Sequence, residues 1–336
     1  MMRIGNHDID EQVLIIAEIG NNHEGDVALA EELIGLASEV GADAVKFQAI
    51  VPELLTAPEQ QERIAQLRRF ALTEEHFERL SEVAHDQGVM FLTTPFSETV
   101  VPLVARLCPA VKVASGDNDH ILLLRAIAAT GLPVILSTGM CDLAQVGTAV
   151  DALEAVWSDV GQDPGLVLLH CVSAYPTPDA DANLRAIATL GAFGRPVGYS
   201  DHTMGADAAV AAVAVGARVI EKHFTDRHDR SEFRDHALSA DPGELRDLVR
   251  RIRETEVLLG EGVKRLMPTE EGTTSAARRS LHTSHPLRAG HVVGPDDLIG
   301  LRPGSGISVA QADGLIGRCV ARDLQAMHRL QSGDVH

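Results

Sequence analysis

The chain has 336 residues, of which 45% are hydrophobic and 23% charged, so it is long and apolar enough to bury a large core. Its formal net charge of −19 at pH 7 argues against nucleic acid and against an anionic membrane surface as partners. An anionic substrate would therefore need a basic pocket of its own.

The N-terminal sequence and the spacing of the cysteines are both those expected of a cytoplasmic protein. The N-terminal stretch M-M-R-I-G-N-H-D-I-D lacks the apolar core of a secretory signal, and no stretch approaches the roughly 18 apolar residues of a membrane span. The four cysteines are scattered without C-x-x-C spacing, which favours reduced thiols over a disulfide framework or a thiolate zinc site. We therefore expect no membrane partner.

Short apolar stretches alternate with amphipathic ones along most of the chain. The predicted strands are Val13–Gly20, Ala44–Gln48, Val89–Pro95, Ala110–Ser115, Pro133–Thr138, Leu166–Ser173, Pro196–His202 and Val219–Phe224. The predicted helices are Asp26–Val40, Thr73–Gln87, Glu98–Leu107, His120–Ala129, Asp142–Val156, Ala182–Leu190, Ala206–Val215 and Pro242–Leu259. This strict alternation predicts an α/β fold of the TIM (β/α)8 barrel type. No G-x-G-x-x-G motif follows the first strand, which weakens the alternative of an open, doubly wound dinucleotide-binding sheet.

The character of the sequence changes after the eighth strand–helix unit. Residues 1–260 are predicted to form the barrel, and residues 261–279 are polar and contain Gly, Ser and Thr, which is typical of a linker. Residues 280–336 consist of short apolar pieces cut by turns. They predict a small domain that would be only marginally stable alone.

Each predicted strand ends in polar residues, which a strand covered on both faces does not need. They are Glu18, Lys46 and Gln48, Thr93 and Thr94, Lys112 and Ser115, Ser137 and Thr138, His170 and Ser173, Ser200 to His202, and Glu221 to His223. TIM-barrel active sites lie at this end of the strands, and a buried lysine or glutamate without a partner would cost several kcal/mol. The set predicts a pocket for a small anionic substrate.

Two of these strand ends carry histidines at matching positions. Residues two apart on a strand share a face, so Ser200 and His202 point one way on their strand, as do Glu221 and His223 on the next. If the strands are neighbours, two imidazoles and a carboxylate converge as ligands for a divalent metal with open positions for substrate. The alternative is that both histidines are satisfied core residues. Asp201 is expected to be a supporting or loop residue.

The two strand-end lysines also have more than one interpretation. Two lysines in one layer favour anion binding. Lys46 and Lys112 could instead form structural ion pairs with Glu18 or Glu221, or either could form a Schiff base, as in class I aldolases. Tyr175 either lines the site or only packs at the mouth of the barrel.

Ten short motifs occur in order along the chain. They are A-E-I-G-N-N-H-E-G-D (17–26), V-K-F-Q (45–48), T-T-P-F (93–96), K-V-A-S-G-D (112–117), L-S-T-G-M (136–140), L-L-H-C (168–171), Y-P-T-P (175–178), S-D-H-T (200–203), E-K-H-F-T (221–225) and L-R-P-G-S-G-I (301–307). On these motifs the chain resembles the sialic acid synthase family over nearly its whole length. The resemblance implies a TIM barrel followed by an antifreeze-like (SAF) domain, here over residues 280–336.

The resemblance also implies an activity and roles for single residues. Metal-assisted condensation would join phosphoenolpyruvate to an open-chain acylamino hexose, N-acetylmannosamine or a relative, with release of phosphate by C–O cleavage. Glu18 would act on the sugar and the water, and Lys46 and Lys112 would line the phosphoenolpyruvate pocket. These three residues and Glu221 are the predicted catalytic residues. His202 and His223 would bind the metal, most readily Mn²⁺ but also Mg²⁺ or Co²⁺. The implied substrate contacts are Thr94, Ser115, Ser137 and Ser200 around phosphoenolpyruvate, Gln48, Ser173, Tyr175 and Asp235 on the sugar side, and Arg302 from the partner subunit of a domain-exchanged homodimer.

Three features depart from the family pattern on the sugar side. Ser173 stands where the family often has Asn, Ala49–Gln66 reads as a shortened loop, and F-R-D-H (233–236) stands where G-P-D-H is typical. They keep open an acceptor that leads to a legionaminic- or pseudaminic-type product. The other open alternatives are a deoxy-heptulosonate or deoxy-octulosonate synthase, a class I aldolase and a non-catalytic binding homologue.

Overall fold

A computed structural model describes residues 2–336 and divides the chain into two compact units, Met1–Gly260 and Glu261–His336. The larger unit is built around eight parallel strands. In chain order they are β1 (Leu14–Gly20), β2 (Ala44–Ala49), β3 (Met90–Pro95), β4 (Val111–Val113), β5 (Val134–Ser137), β6 (Leu166–Cys171), β7 (Val197–Asp201) and β8 (Val219–His223). Strands that follow one another in the chain are hydrogen-bonded to each other, except β3 and β4, and β8 pairs with β1. The barrel is therefore nearly closed. The predicted TIM barrel is confirmed.

The helices of the larger unit follow the strands. They are α1 (Val27–Glu39), α2 (Pro52–Leu55), α3 (Gln61–Phe70), α4 (Glu74–Asp86), α5 (Val101–Leu107), α6 (Ile121–Ala128), α7 (Leu143–Val160), α8 (Ala186–Leu190), α9 (Asp207–Ala214), α10 (Arg234–Leu238) and α11 (Pro242–Leu259). Helices α1, α7 and α11 begin after Asp26, Asp142 and Asp241, whose carboxylates accept hydrogen bonds from backbone N–H groups of the first turn.

The stretch between β2 and α4 corrects part of one expectation. Ala49–Gln66 is not all loop, because α2 and the start of α3 lie within it. Pro52 occupies the first position of α2, where its missing N–H has no helical partner to lose. Helix α3 buries Ile64, Leu67 and Phe70, which are three residues apart and so share a face.

Alternate strand residues form an apolar layer inside the barrel. It contains Leu14, Ile16, Ala44, Leu92, Ala110, Ile135, Val167, Leu169 and Val219, with Ile4 and Ile9 from the N-terminal segment. All of these side chains are fully buried, so the interior is a packed core rather than a pore. We call this layer the apolar floor. Because every second residue of a strand faces inward, the next inward-facing residues lie directly after it, towards the C-terminal ends of the strands.

The smaller unit has a separate apolar core. Strand β9 (Ser280–Thr283) pairs antiparallel with β10 (Leu298–Leu301), and Leu281 and Leu324 are among the buried side chains. Helix α12 (Glu271–Ala277) lies within the stretch that was expected to be a linker.

Two expectations from composition concern cysteines and membranes. All four cysteines are free thiols. Within residues 2–336, no helix combines the length and the apolar character that crossing a bilayer requires.

Candidate active site

Four charged side chains lie together directly above the apolar floor of the barrel. Glu18, Lys46, Lys112 and Glu221 each follow an apolar interior residue by two positions, on β1, β2, at β4 and on β8. Lys46 Nζ lies 2.7 Å from Glu18 Oε2 and 3.6 Å from Glu221 Oε2, and Lys112 Nζ lies 3.7 Å from Glu221 Oε1. None of the four is more than 6% exposed. We call them the charge quartet; it is neutral when all four are ionised.

The two carboxylates of the quartet differ in protonation behaviour. Burial raises the pKa of Glu18, and the charge of Glu221 adds to the rise against the opposing effect of Lys46. Burial acts on Glu221 in the same direction, but Lys112 and Lys46 outweigh it and hold the pKa of Glu221 at about 2. Glu221 is therefore held as an anion, whereas Glu18 is the carboxylate of the two that takes up a proton more readily.

The two lysines also differ. Burial lowers the pKa of Lys112, and Glu221 only partly compensates. Burial acts on Lys46 in the same way, but the charges of Glu18 and Glu221 outweigh it and raise the pKa of Lys46. Lys112 therefore loses its proton more readily than Lys46, and a bound anion would stabilise its charged form the most.

Predicted substrate-binding residues hydrogen-bond to every member of the quartet. The pairs are Lys112 Nζ with Ser137 Oγ at 2.6 Å, Lys46 Nζ with Thr94 Oγ1 at 3.2 Å, Gln48 Nε2 with Glu18 Oε1 at 2.9 Å, and Ser200 Oγ with Glu221 Oε1 at 2.9 Å. The structure therefore brings the four predicted catalytic residues and these hydroxyl and amide groups into one connected network.

A glycine leaves room between two further predicted residues. The backbone N–H of Gly139 donates to Ser115 Oγ at 3.1 Å. A Cβ on Gly139 would lie 2.5 Å from Ser173 Oγ and 2.7 Å from Ser115 Oγ. The Ser173 hydroxyl is buried and has no hydrogen-bond partner within residues 2–336. Since buried polar atoms are normally paired, this hydroxyl is available to a ligand.

The predicted metal ligands His202 and His223 lie next to each other at the ends of β7 and β8. Their ring centroids are 5.5 Å apart. His202 Nδ1 lies 2.8 Å from the Val172 carbonyl oxygen, to which it donates, so Nε2 is left for another partner. His223 Nδ1 is buried and has no partner among the described residues. Burial lowers the pKa of His223 well below its ordinary value and keeps this ring neutral, as metal ligation requires. His202 is buried too, but its contacts with Cys171 and the Val172 carbonyl oxygen outweigh burial and raise its pKa, so a metal would have to displace a proton from this ring. These two residues fit a divalent metal.

A second group of potential metal ligands has another explanation. In residues 2–336, His228, Asp241 and Glu244 form the one group of three such side chains whose ligand atoms lie within 4.8 Å of one another. Asp241 caps α11, and Glu244 bonds back to the Asp241 backbone N–H at 3.0 Å. The group is thus a helix-capping arrangement with a histidine beside it.

Known proteins match this arrangement along most of the chain. Residues 33–264 match the NeuB family and residues 278–335 match the SAF domain. N,N'-diacetyllegionaminic acid synthase of Legionella pneumophila is 40% identical over 328 residues, with 93% of this chain and 91% of the relative covered. The chain belongs to the NeuB family. Pseudaminic acid synthase of Campylobacter jejuni is 32% identical over 349 residues, covering 99% of both chains.

One solved structure extends the match to the barrel itself. The crystal structure of N-acetylneuraminic acid (sialic acid) synthetase from Leptospira borgpetersenii, in complex with citrate, superposes with a TM-score of 0.76 at 36% identity. It covers 81% of this chain and 94% of the Leptospira chain. The sequence-based assignment to the sialic acid synthase family and to its two-domain architecture is confirmed, and the chain is a synthase.

In this NeuB-family synthase, Tyr175 forms the aromatic side of the site. Its ring centroid lies 4.2 Å from that of His202 and 6.1 Å from that of His223. The Arg234 guanidinium lies 5.3 Å from the Tyr175 centroid, and Arg234 Nε is 3.2 Å from Asp235 Oδ1. The structure thus brings Tyr175 and Asp235 to one side of the histidine pair. Arg234 was not among the residues predicted from the sequence, although it lies in the F-R-D-H stretch that departs from the family pattern.

Strand parity corrects the list of strand-end residues. His170 points away from the barrel interior: its Nε2 contacts a backbone carbonyl oxygen at 2.8 Å, and its ring stacks on Tyr199. Its neighbour Cys171 takes the inward position, with Sγ 3.7 Å from His202 Nδ1. Counting back two residues from Ser173 would have identified Cys171.

Arg302 lies in the smaller unit and is exposed. Its predicted role in the barrel of a partner subunit stays a prediction.

Proposed function

We propose that this chain condenses phosphoenolpyruvate with an open-chain N-acylated amino hexose, giving a nine-carbon 2-keto acid of the sialic acid type and inorganic phosphate. The observation that carries the proposal is the charge quartet, in which two buried lysines are surrounded by hydroxyls in a chain of net charge −19. The quartet as a whole is neutral, but its buried ammonium groups, with hydroxyls beside them, can donate charge-assisted hydrogen bonds to a small anion. Membership of the NeuB family supports the same reaction class.

Lys46 and Lys112 are proposed to bind the phosphate and carboxylate groups of phosphoenolpyruvate. Thr94, Ser115, Ser137 and Ser200 would supply hydrogen bonds around them. The permanently ionised Glu221 would keep both ammonium groups directed into the pocket before the substrate arrives.

Glu18 is proposed to move protons during the reaction. The enol carbon of phosphoenolpyruvate attacks the aldehyde carbon, and the aldehyde oxygen takes up a proton as the C–C bond forms. Water then adds to the carbon that bears the phosphate and loses a proton. The resulting tetrahedral carbon becomes the ketone as the C–O bond to phosphate breaks, and the proton of the new hydroxyl leaves with the phosphate. Glu18, with its pKa raised by burial and its position fixed by Gln48, suits this exchange.

His202 and His223 would hold a divalent ion, for which we propose Mn²⁺ ahead of Mg²⁺ or Co²⁺. When bound, the ion would supply Lewis-acid polarisation of the acceptor aldehyde.

The acceptor is proposed to lie against Gln48, Ser173, Tyr175 and Asp235. Among acylamino hexoses we favour a doubly acylated one that leads to a legionaminic-type product. The 40% identity to the Legionella synthase and the serine at position 173 support this choice. N-acetylmannosamine is the second candidate, supported by the 36% identity to the Leptospira synthetase.

We further propose a cytoplasmic homodimer in which Arg302 of each smaller unit reaches into the barrel of the other subunit. Analytical ultracentrifugation of the wild type would test the dimer. Mixing an Arg302→Ala chain with a Glu18→Gln chain would test the exchange, because a mixed dimer would regain one complete site.

Phosphate release from phosphoenolpyruvate with Mn²⁺, measured across a panel of unphosphorylated acylamino hexoses, tests the function. We expect release with one sugar, abolished by a chelator and by His223→Ala. Folded wild-type protein that releases no phosphate with any sugar would refute the proposal. Borohydride reduction during turnover separates the aldolase alternative, because it would trap substrate on Lys112 or Lys46 only if a Schiff base forms.

A further inference from the structure

A buried ion pair joins the two strands that carry the histidine pair, on the face opposite to the site. Lys222 lies between Glu221 and His223 on β8, and Asp201 ends β7 directly before His202. The two residues are register partners in the parallel pairing of β7 with β8. Lys222 Nζ lies 2.9 Å from Asp201 Oδ2, and both side chains are almost fully buried.

The side-chain nitrogen and oxygen atoms of this pair bond to each other and to Thr203, which lies just after β7. Besides Asp201, Lys222 Nζ donates to the Thr203 carbonyl oxygen. Asp201 Oδ1 accepts hydrogen bonds of 2.8 Å from both the backbone N–H and the hydroxyl of Thr203. Asp201 and Thr203, the residues before and after His202 in the chain, therefore both bond to Lys222.

The pair is costly for a purely stabilising role. Removing two charges from water carries a large desolvation penalty, and a well-packed apolar pair of similar volume is often as stable or more so. An apolar pair makes no directional bonds, whereas this pair ties the end of β7 to β8 through hydrogen bonds to Thr203. Because side chains alternate along a strand, fixing Asp201 and Lys222 on the outer face fixes His202 and His223 on the inner face.

We propose that the Asp201–Lys222 pair is a positioning device that sets the spacing of His202 and His223 and thereby the affinity of this site for a divalent metal ion. The inference rests on the proposed function, because it takes the two histidines as the metal ligands. Groups that orient metal ligands commonly change metal affinity by about 10- to 100-fold when they are removed.

The test compares two variants with the wild type by their Mn²⁺ binding, which is followed by the electron paramagnetic resonance signal of free Mn²⁺. Lys222→Met leaves a buried carboxylate uncompensated and could misfold, so the informative variant is Asp201→Asn/Lys222→Met, in which both groups are neutral. Arg195→Met is the matched control, since it removes an ion-paired residue just before β7, at the other end of that strand. Calorimetric titration with phosphoenolpyruvate in metal-free buffer gives the second readout.

We expect the double variant to bind Mn²⁺ about 10- to 100-fold more weakly, with phosphoenolpyruvate affinity within about twofold of the wild type. Arg195→Met should bind both ligands like the wild type. Equal Mn²⁺ affinity in the wild type and the double variant would overturn this inference but leave the proposed function standing. Parallel loss of both affinities would also overturn it, since a general structural defect would be the cause. A wild type that binds no Mn²⁺ would overturn both this inference and the proposed metal site.

Discussion

Replacing Glu221 with glutamine tests the electrostatics of the charge quartet. The substitution keeps the shape of the side chain and an acceptor for Ser200, but it removes the anion that Lys46 and Lys112 share. Each pKa unit corresponds to about 1.4 kcal/mol. Lowering the pKa of Glu221 from its ordinary value of 4.5 to about 2 therefore corresponds to about 3 kcal/mol of stability at pH 7.

The sign of the pH dependence follows from the depressed pKa. The contribution of Glu221 is complete above pH 4.5, where the unfolded chain is also ionised, and it is lost as the pH falls towards 2. At pH 3 about 1 kcal/mol should remain. For a unit of this size, about 3 kcal/mol corresponds to a Tm difference of roughly 6 to 12 °C.

Scanning calorimetry of the wild type and Glu221→Gln at pH 7 and pH 3 measures this difference for the transition of the larger unit. Glu254→Gln is the matched control, because Glu254 is an exposed glutamate paired with Arg250 on the surface of α11. Glu254→Gln should leave Tm unchanged at both pH values. A Tm difference for Glu221→Gln that is the same at pH 3 and pH 7, or of opposite sign at pH 7, would refute the argument that the lysines stabilise an ionised Glu221.

Three further predictions concern single positions. Gly139→Ala should raise the KM for phosphoenolpyruvate at least several-fold without a large fall in Tm, because the added methyl group would collide with the Ser115 and Ser173 hydroxyls; an unchanged KM in steady-state assays would show that these hydroxyls do not contact the substrate. Glu18→Gln should lower kcat by about 10²- to 10⁴-fold and remove one limb of the pH–rate profile; a retained limb would assign that proton transfer to another group. Asp334→Asn should destabilise the smaller unit at pH 7 but much less below pH 3.8, because hydrogen bonds and ion pairs outweigh burial and lower the pKa of Asp334; a pH-independent Tm difference would exclude that origin.

Much of the barrel follows from the sequence because each strand is a continuous apolar run and each major helix has a clear cap or period. The helices between β2 and α4 were missed for a specific reason. Ile64, Leu67 and Phe70 are separated by polar and charged residues in Q-E-R-I-A-Q-L-R-R-F, so the stretch reads as a loop unless the spacing of three is counted.

The site was predictable to the extent that strand parity fixes direction. Glu18, Lys46, Lys112 and Glu221 all follow interior apolar residues by two positions, and their convergence needs only the closure of the barrel. Contacts across strands are not encoded by parity alone. The pairing of Lys222 with Asp201 and the position of Arg234 over Tyr175 depend on the register between β7 and β8 and on the path of the loop after β8.

The neutrality of the charge quartet has a consequence for how an anion enters the site. Two buried cations are already matched by two buried anions, so a multiply charged ligand brings an excess of negative charge into a medium of low dielectric constant. Hydrogen ions from the solvent can relieve that excess, and Glu18 is the acceptor in the quartet whose pKa is already raised. Ligand capture should therefore draw hydrogen ions from the buffer, and its apparent heat should change with the ionisation enthalpy of the buffer chosen.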